Sequence, residues 1–483
     1  MVDLNNFASF PTLAIGLLVA ALRAEGHEVR LVSPLAHDVP SVLRERRETY
    51  LDHLKRRLHL SASPTFQWLR DGARRTHEWM TERPDATTLA EIRHEIDRGT
   101  DVILLSAYLQ HYRLVREICR LARARGIRVI LGGPMFNVFE IAEIWRKIPG
   151  LTALVGAEMD RGIGRLVEAA VAGEDLARFP GTVLPDGRRG PPASPLRDLD
   201  LTPMADYTDF PWDRYPVRII PLMAGRGCQW DKCLFCSDVI SVSGRTFRTR
   251  SVESVLVEMQ EQARRHGTTN FVFLDLKLNS YPDMIRGIAA EAQRFVRGAE
   301  WIGTVHVDLR RDNGLSAKDL ALAVEGGMRR ISFGLESGSQ RMLDLMNKGS
   351  SVEANAAFIR NAHAAGLSVR CTMFNGFPGE TAEDMAATAD FLEAHMDKLD
   401  RVRFNAFSLQ TGTPIHRAVE ARDIPDRALH PLSSVNERGR IDYAAPALGC
   451  RAYRRAKARA LRTVYQINSR PLRIGARQFD GLM

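Results

Sequence analysis

Three cysteines stand close together in residues 225–238, which read GRGCQWDKCLFCSD. They are Cys228, Cys233 and Cys236, so the spacing is C-x4-C-x2-C. A 4Fe-4S cluster usually takes four thiolate ligands, and three local thiolates leave one iron open. An open coordination position is what a metal site needs in order to act on a bound small molecule. The spacing therefore favours an iron–sulfur cluster with one open iron.

A structural zinc site is the alternative for the same cysteines. Zinc would require a fourth ligand, and His266 is the next histidine along the chain. Structural zinc sites usually combine two C-x2-C pairs, whereas this stretch contains one. The remaining cysteines are scattered and too few for a disulfide framework; they are Cys119, Cys371 and Cys450. The cysteine pattern favours iron and sulfur over zinc.

The composition is that of a soluble globular chain. Its 483 residues, 45% hydrophobic and 26% charged, suit two or three domains. The apolar run at 13–22 is about half the length that crosses a bilayer, and it lacks the flanks of a signal peptide. We therefore expect a cytoplasmic protein without a membrane partner. The net charge of +9 matches the nine basic residues in 451–477, which predict a solvated basic helix or a site for an anionic partner.

The elements before the cysteines alternate between strands and helices. Strands are predicted at 28–33, 101–106, 128–131 and 153–155, and helices at 13–24, 114–125 and 163–172. This alternation predicts a doubly wound, Rossmann-like parallel sheet in residues 1–173. An insert at 41–98 is expected to form two or three helices packed on that sheet. Residues 174–216 are rich in proline and are expected to be a linker.

The second half of the chain, 217–420, repeats a strand and a helix six times. Strands are predicted at 217–223, 270–275, 301–307, 330–336, 368–374 and 402–409, with helices at 252–266, 284–296, 317–324, 352–364 and 382–395. Six steps predict an open, six-stranded version of the (β/α) barrel. The cysteines follow the first barrel strand, where barrel enzymes carry their chemistry. Residues 421–483 are expected to be a basic tail with a helix at 453–466.

The cysteine stretch, with Phe235 before its last cysteine, and the six-step partial barrel resemble the radical S-adenosylmethionine (SAM) superfamily. The resemblance covers about residues 216–415. It implies that the amino and carboxylate groups of SAM bind the open iron of a 4Fe-4S cluster. It also implies that one electron then cleaves SAM and yields a 5′-deoxyadenosyl radical.

Several later positions are similar to the SAM-binding positions of that superfamily. The resemblance assigns to SAM the residues Phe235, Asp275, Glu336, Arg370, Gly376, Gly379 and Phe407. Arg370 would pair with the SAM carboxylate, and Glu336 closes the strand sequence SFGLESGS. Asp275 stands where the family often has a Gly-Gly-Glu turn. The alternatives are a solvated strand end for Glu336 and a barrel-wall salt bridge for Arg370.

The N-terminal domain resembles the cobalamin-binding domain of some radical SAM proteins. Small residues at strand ends open the crevice of a doubly wound sheet for a ligand. The resemblance assigns to cobalamin Ser106, Tyr108, Gly132, Gly133, Gly156 and Glu158. The chain departs from the pattern in lacking a D-x-H-x-x-G motif and in having a truncated first strand. A degenerate Rossmann-like domain used for packing or substrate binding is the alternative.

The resemblance implies a cobalamin-dependent radical SAM methyltransferase. The expected substrate is an unactivated carbon of a specialised metabolite or peptide, and the expected redox partner is a flavodoxin or ferredoxin. A radical SAM cyclisation or rearrangement is one alternative. A nucleic-acid-modifying methylthiotransferase is another, although it would need further N-terminal cysteines and no RNA-binding module follows the barrel. A non-enzymatic iron–sulfur or zinc protein is the third. No catalytic side chain is assigned.

Overall fold

Two parallel β-sheets, each covered by helices, make up the fold. The structure is a computed structural model that describes residues 1–41, 47–61, 63–237, 247–421, 423, 430–431, 433–444 and 446–482. The two sheets confirm the α/β class that the alternation of strands and helices predicted. Across the described ranges, no helix has the length and apolarity needed to cross a membrane.

The first sheet lies in the N-terminal part of the chain. Its strands are β1 Val102–Ser106, β2 Arg128–Gly132, β3 Ala153–Val155 and the antiparallel edge strand β4 Thr182–Val183. Val2 forms parallel bridges to Leu105 of β1 and to Val32, so the chain start lies between them. This is the strand order of flavodoxin-like doubly wound sheets. The strand predicted at 28–33 is reduced to the bridge at Val32, because only a few residues precede it for pairing.

Helices cover both faces of this sheet. The helices of the first half are α1 Leu13–Ala24, α2 Tyr50–His59, α3 Pro64–Thr81, α4 Ala86–Asp97, α5 Tyr112–Arg123, α6 Phe139–Trp145 and α7 Ile163–Ala172. Ile103 and Leu105 of β1 pack in one core with α4, α5 and α6. Leu104, between them, packs in a second core with α1 and α7. Burial on both faces explains why β1 is continuously apolar.

The second sheet contains six parallel strands in the order β12-β11-β10-β9-β8-β5. The strands of this half are β5 Ile220–Leu222, β6 Gly225–Arg226, β7 Arg248–Thr249, β8 Asn270–Phe273, β9 Glu300–Val305, β10 Met328–Glu336, β11 Ser368–Asn375 and β12 Arg401–Ala406. β6 and β7 form a separate antiparallel pair beside the sheet. The open six-stranded barrel is therefore confirmed, with β5 and β12 at its edges.

The helix starts of the barrel are encoded locally. The helices are α8 Val252–His266, α9 Pro282–Phe295, α10 Ala317–Glu325, α11 Gln340–Leu345, α12 Val352–Ala364 and α13 Ala382–His395. Ser251, Ser316, Ser351 and Thr381 each precede a helix, and each side chain accepts a hydrogen bond from a backbone N–H of the first turn. These caps satisfy donors that have no partner within the helix.

The C-terminal part packs along the open edge of the barrel. Its elements are β13 Leu409–Gln410, α14 Pro414–Glu420, β14 His430–Pro431, β15 Arg440–Ile441, β16 Tyr443–Ala444 and α15 Arg451–Asn468. The Asn468 side chain accepts from the N–H of Val402 at 2.8 Å and donates to its carbonyl at 2.9 Å. Asn468 thus caps the exposed edge of β12, which would otherwise present unpaired backbone groups. Arg459 of α15 pairs with Glu393 of α13 at 2.7 Å, so the basic helix is matched by barrel acids.

The insert at 41–98 contains three helices, but α2 packs on α15 and not on the first sheet. The ring of His53 lies 4.9 Å from that of Tyr465, and Glu48 N–H donates to the Asn468 carbonyl at 3.0 Å. The described side chains of α3 are all at least partly exposed. The expected packing on the sheet holds for α4 alone, because the exposed apolar side chains of α2 and α3 do not face it. Residues 42–46 and 62 of the insert lie outside the described residues.

Candidate functional site

The loop after β5 places Cys228, Cys233 and Cys236 along one wall of a cavity of about 490 Å³. None of the three cysteines forms a disulfide, and all three are partly buried. Within the described chain, no three His, Cys, Asp or Glu side chains converge on a point that could hold one metal ion. Three spread thiolates suit a cluster in which each binds a different iron better than they suit a single zinc ion.

The fourth ligand that zinc would need is not at this site. His266 ends α8, and its ring stacks on Trp212 with 4.5 Å between ring centroids. Burial lowers the pKa of His266 from its ordinary value. His266 is a packing residue of the barrel exterior, and the zinc alternative loses the ligand on which it depended.

Asp275 holds the start of the cysteine loop. Its carboxylate accepts the N–H of Ala224 at 3.0 Å and the N–H of Gly225 at 2.6 Å. Burial raises the pKa of Asp275 to about 7, although the two backbone donors favour its charged form. Asp275 also lines the cavity, and each of its oxygens accepts one backbone N–H, so its observed contacts hold the loop in place.

Trp230 docks the cysteine loop on a second loop, residues 347–349. Its indole N–H donates to the Asn347 carbonyl at 2.8 Å, and a Cβ on Gly349 would lie 2.2 Å from its ring. Asn347 and Gly349 have φ of 50° and 66°, in the left-handed region that favours these residue types. The turn that these two residues form directs Lys348 into the cavity.

Lys348 forms a buried ion pair with Glu336 inside the cavity. The Nζ–Oε1 distance is 2.8 Å, and Nζ lies 5.7 Å from the centre of the Phe235 ring. Burial would lower the pKa of Lys348, but the charges of Glu336, Cys233 and Cys236 outweigh it and the pKa is raised. The sequence analysis identified Glu336 but missed Lys348. The turn-forming Asn and Gly on either side of Lys348 were the available signal.

Gly334 makes room for this ion pair. A Cβ at position 334 would lie 2.2 Å from Glu336 Oε1 and 2.7 Å from Lys348 Nζ. Glu336 itself has a φ of 60°, an unusual conformation for a residue with a side chain. Strain of this kind persists where surrounding contacts impose it, and it is common at functional sites.

His306, at the end of β9, is a second cavity residue that the sequence analysis missed. A hydrogen bond with the backbone of Lys348 holds its ring, and the ring lies parallel to Trp230 at 6.5 Å. Burial lowers the pKa of His306 well below its ordinary value, and the nearby Lys348 and Lys277 lower it further. Its Nε2 atom is buried without a hydrogen-bond partner among the described residues. A neutral imidazole nitrogen in this position can accept a hydrogen bond from a bound molecule.

Arg370 lies deeper in the barrel than the resemblance implied. It pairs in register with Ser332 and Arg401 of the neighbouring strands and is 4% exposed. Thr372, two residues nearer the carboxyl end of β11, lines the cavity. Among the cations described here, Lys348 and Lys277 line the cavity with the cysteines.

Aromatic rings line the region where adenine was expected. Phe235 meets Phe374 edge-on at 5.0 Å, and Phe374 lies 5.6 Å from Phe407. Phe407 in turn contacts Phe377 at 5.1 Å and Tyr443 at 5.9 Å. The sequence analysis assigned two of these rings, Phe235 and Phe407, to SAM. Tyr443 escaped notice because it comes from the tail, far away in sequence.

The turn after β11 is held by the tail. The N–H of Gly376 donates to Glu380 Oε2 at 2.5 Å, and Glu380 accepts the Tyr453 hydroxyl at 2.7 Å. Gly376 and Gly379 have φ of 89° and 83°, which glycine adopts without steric cost. Burial raises the pKa of Glu380 to about 7. Lys457 of α15 donates to Asn375 at the same strand end.

The residues predicted for cobalamin divide into two groups. Ser106 and Gly132 end β1 and β2, and Tyr108 follows β1, is 52% exposed and lines the cavity. Phe7 and Phe10, which follow the parallel bridges of Val2, line the same cavity. The segment after Val2 and the loop after β1 flank the topological switch point of this sheet, where doubly wound proteins bind their ligands. The cavity therefore joins the cysteines to the switch point.

Gly133 and Gly156 are explained by packing within the N-terminal domain. A Cβ on Gly156 would lie 2.4 Å from the side-chain oxygen of Asn137, whose amide donates to the Gly156 carbonyl at 2.8 Å. A Cβ on Gly133 would lie 2.9 Å from the Ala107 carbonyl. Close approach inside the domain is sufficient to require glycine at both positions.

Glu158 is occupied by an inter-domain contact. It accepts two hydrogen bonds from Arg248, both 2.8 Å long, and it lies 3.3 Å from Arg226. Asp160 pairs with Arg226 at 2.6 Å. Burial would raise the pKa of Glu158, but the arginines outweigh it and the pKa is lowered. These ion pairs fasten the N-terminal domain to the β6–β7 pair that flanks the cysteine loop, so Glu158 binds protein where cobalamin was expected.

The sequence of the barrel matches a known family. Residues 222–392 match the model described as the Radical SAM superfamily. This segment contains the three cysteines, and it is similar to the superfamily that the sequence analysis named.

Curated relatives cover different chemistries. An uncharacterised methyltransferase of Pyrococcus horikoshii is 27% identical over 292 residues, 59% of this chain and 61% of that protein. The anaerobic magnesium-protoporphyrin IX monomethyl ester cyclase of Rubrivivax gelatinosus is 27% identical over 277 residues, 54% of this chain and 48% of the cyclase. The ribosomal protein uS12 methylthiotransferase RimO of Desulforudis audaxviator is 28% identical over 340 residues, 66% and 68% of the two chains. The chain thus spans about half to three fifths of the first two relatives.

Two solved structures share the fold over most of the chain. The radical SAM methyltransferase TsrM of Kitasatospora setae, with tryptophan substrate and a SAM analogue, has a TM-score of 0.64 at 18% identity and covers 96% of this chain and 88% of its own. The cobalamin-dependent SAM radical enzyme OxsB, with aqua-cobalamin and SAM, has a TM-score of 0.65 at 16% identity and covers 91% and 63%. At these identities the likeness shows the common fold.

Proposed function

We propose that this chain is a cobalamin-dependent radical SAM methyltransferase that methylates an unactivated carbon of a specialised metabolite or peptide. One observation carries the proposal. A single cavity is lined by the three cysteines and by Phe7, Phe10 and Tyr108 at the switch point of the N-terminal sheet. Two cofactor sites that share one cavity permit transfer between them. The two-domain fold shared with TsrM and OxsB supports this proposal.

The residues of the cavity fit the implied cofactors. Three thiols on one loop, beside the buried ammonium of Lys348, suit an anionic cluster with an open iron. Ser106 and Gly132 leave the carboxyl edge of the first sheet lined by small residues where a corrin ring would lie. When bound, the cluster supplies reductive cleavage of SAM, and cobalamin carries a methyl group.

The side chains around the cavity have three roles in this proposal: they bind SAM, they orient it, and they exclude water. Glu336 and Lys348 place opposite charges at the cavity wall, where the amino and carboxylate groups of SAM need partners. Phe235 and Phe407, with Phe374, offer apolar faces to adenine, and the backbone at Gly376 is open to close approach. We propose Lys348 in place of Arg370 as the partner of the SAM carboxylate.

The substrate is expected to lie between the two cofactor sites. His306 presents a neutral nitrogen with no partner among the described residues, so a substrate with an N–H or O–H group suits this wall. Aromatic and aliphatic side chains on the cavity wall exclude water from reactive species. We also propose an electron donor such as flavodoxin or ferredoxin as the redox partner.

The test is anaerobic purification from a cobalamin-fed host, followed by measurement of bound cobalamin and of 5′-deoxyadenosine formed from SAM. We expect near-stoichiometric cobalamin and reductant-dependent 5′-deoxyadenosine. Cys233→Ala should abolish 5′-deoxyadenosine, while Cys450→Ser, at an exposed cysteine that caps α15, should leave it unchanged. Iron-loaded protein without cobalamin would overturn the methyltransferase assignment and leave the radical SAM assignment standing.

A cyclisation or rearrangement is the second candidate, and the cyclase among the relatives is the observation in its favour. Product mass separates the two candidates, because methylation adds one methylene. A methylthiotransferase is less consistent with this chain. Such enzymes need further N-terminal cysteines, and Cys119 is fully buried in α5, where burial raises its pKa to about 12.

A further inference from the structure

Helix α3 presents its apolar face to solvent. Five large apolar side chains of this helix are between 49% and 76% exposed: Phe66, Trp68, Leu69, Trp79 and Met80. At 3.6 residues per turn they fall on one side of the helix, together with Ala73 and Thr76. A surface helix of a globular protein normally buries this side.

The polar side of α3 faces the protein instead. Glu78 pairs with Arg438 at 3.2 Å, and Glu82, which follows the helix, also pairs with Arg438. Arg70 donates to the Ser61 carbonyl at 2.7 Å. The helix is therefore attached by ion pairs and turned opposite to the usual orientation. Leaving large aromatic side chains in water is unfavourable unless another phase or partner covers them.

Cations flank the exposed apolar side. Arg75 of α3 is exposed beside it, next to Trp68 and Trp79 on the helix surface. The adjoining helix α2 repeats the pattern, with exposed Leu51, Leu54 and Leu58 next to Lys55 and Arg57; exposures of the three leucines are 59%, 41% and 50%. An apolar side rich in Trp, Phe and Leu, bordered by basic residues, is typical of helices that lie in a membrane interface.

The charges beside the apolar side favour one of two partners for this surface, a second copy of the chain or a lipid bilayer. A second copy of the chain would bring like-charged borders together, and the apolar arc is wider than the a/d seam of a two-helix contact. An anionic lipid surface complements the basic border and accepts the aromatic side chains at headgroup depth.

We infer that α3, assisted by α2, binds the surface of an anionic lipid bilayer and lies in its plane. The sequence analysis expected no membrane partner because it found no spanning segment, but a helix that lies in the interface needs none. This inference is independent of the proposed methyl transfer. It places the enzyme at a surface where apolar substrates concentrate.

Flotation of the reconstituted full-length protein with vesicles tests the inference. We expect binding to phosphatidylcholine vesicles that contain phosphatidylglycerol, weaker binding to phosphatidylcholine alone, and release at high salt. Tryptophan emission should shift to the blue on binding, and Trp68→Phe/Trp79→Phe should remove that shift. Trp68→Glu/Trp79→Glu should weaken binding by at least about tenfold, because it places charges where two aromatic side chains would enter the interface.

Matched variants separate this surface from general effects. Ile474→Glu/Leu201→Glu adds the same charge at exposed apolar residues outside α3, at 80% and 50% exposure, and should bind like the wild type. Lys55→Gln/Arg75→Gln should weaken binding to anionic vesicles alone. Failure of the wild type to float with either vesicle overturns the inference. A concentration-dependent dimer that Trp68→Glu/Trp79→Glu dissociates, without vesicle binding, would assign the surface to a second copy.

Discussion

Single residues at the cavity wall show how local chemistry depends on distant partners. Glu336 closes a barrel strand, yet its charge is matched by Lys348 from the next loop at 2.8 Å. Lys348 is held in the cavity by its neighbours Asn347 and Gly349, which Trp230 of the cysteine loop covers. The cysteine loop and the ion pair therefore hold each other in position, and loss of one charge should affect both.

Replacement of Lys348 by methionine should destabilise the protein. Glu336 would remain buried without its cation, a change that costs about 3 kcal/mol or more. The midpoint of thermal unfolding, measured anaerobically at equal iron content, should fall. Lys398→Met, which removes a pair with Asp397 at a more exposed position, serves as the control. If the double variant Glu336→Gln/Lys348→Met is as unstable as Lys348→Met, the charges are not coupled.

Glu380 should make the stability depend on pH. Its pKa is raised from 4.5 to about 7, so the folded state holds the proton more tightly than the unfolded chain. This stabilising contribution is complete below pH about 4.5 and is lost as the pH rises to about 7. The unfolding midpoint of the wild type should therefore fall over this window relative to that of Glu380→Gln. Parallel curves for the two proteins would contradict the burial of an ionisable Glu380.

At the scale of elements, the cysteine loop is fixed from three directions. Asp275 at the end of β8 binds the backbone before the loop, and residues 347–349 dock it from the barrel. The β6–β7 pair beside the loop is fastened to the N-terminal domain through Arg226 and Arg248. The N-terminal domain and the cysteine loop are thus coupled by ion pairs of low exposure, and removing one partner of such a pair costs more than breaking a surface pair.

Arg248→Met should loosen this connection. Glu158 would lose two charge-assisted hydrogen bonds at a site of 15% exposure, a cost of about 2 kcal/mol. We expect a lower unfolding midpoint and faster loss of iron to a chelator. Arg265→Met, which removes an exposed pair with Glu261, should change neither. Equal iron loss in the two variants would show that the connection does not support the loop.

At the scale of the whole molecule, both chain ends complete the barrel. Phe10 from the first loop and Phe479 and Leu482 from the last residues pack with the inner faces of the barrel strands. Arg330 of β10 donates to the carbonyls of Phe479 and Leu482. α15 closes the side of β12, where an open barrel would expose an unpaired strand. The tail is therefore part of the folded core.

Asn468→Ala should expose the edge of β12. The N–H and carbonyl of Val402 would lose their partners, at a cost of about 2 kcal/mol. Hydrogen exchange should become faster at β12 before it changes elsewhere. Gln466→Ala, an exposed position on the same helix, should exchange like the wild type. Unchanged protection of β12 would mean that packing of α15 alone closes the edge.

The sequence by itself determined the two α/β sheets and the six barrel steps, and it singled out the three cysteines that line the cavity. These follow from periodicity, caps and spacing over a few residues, as at Ser251 or Cys228–Cys236. Only the tertiary structure decided that Lys348 and His306 join the cysteines, that Glu158 binds arginines, and that Tyr453 holds Glu380. These contacts join residues distant in sequence, and pairing at such separations leaves no local pattern.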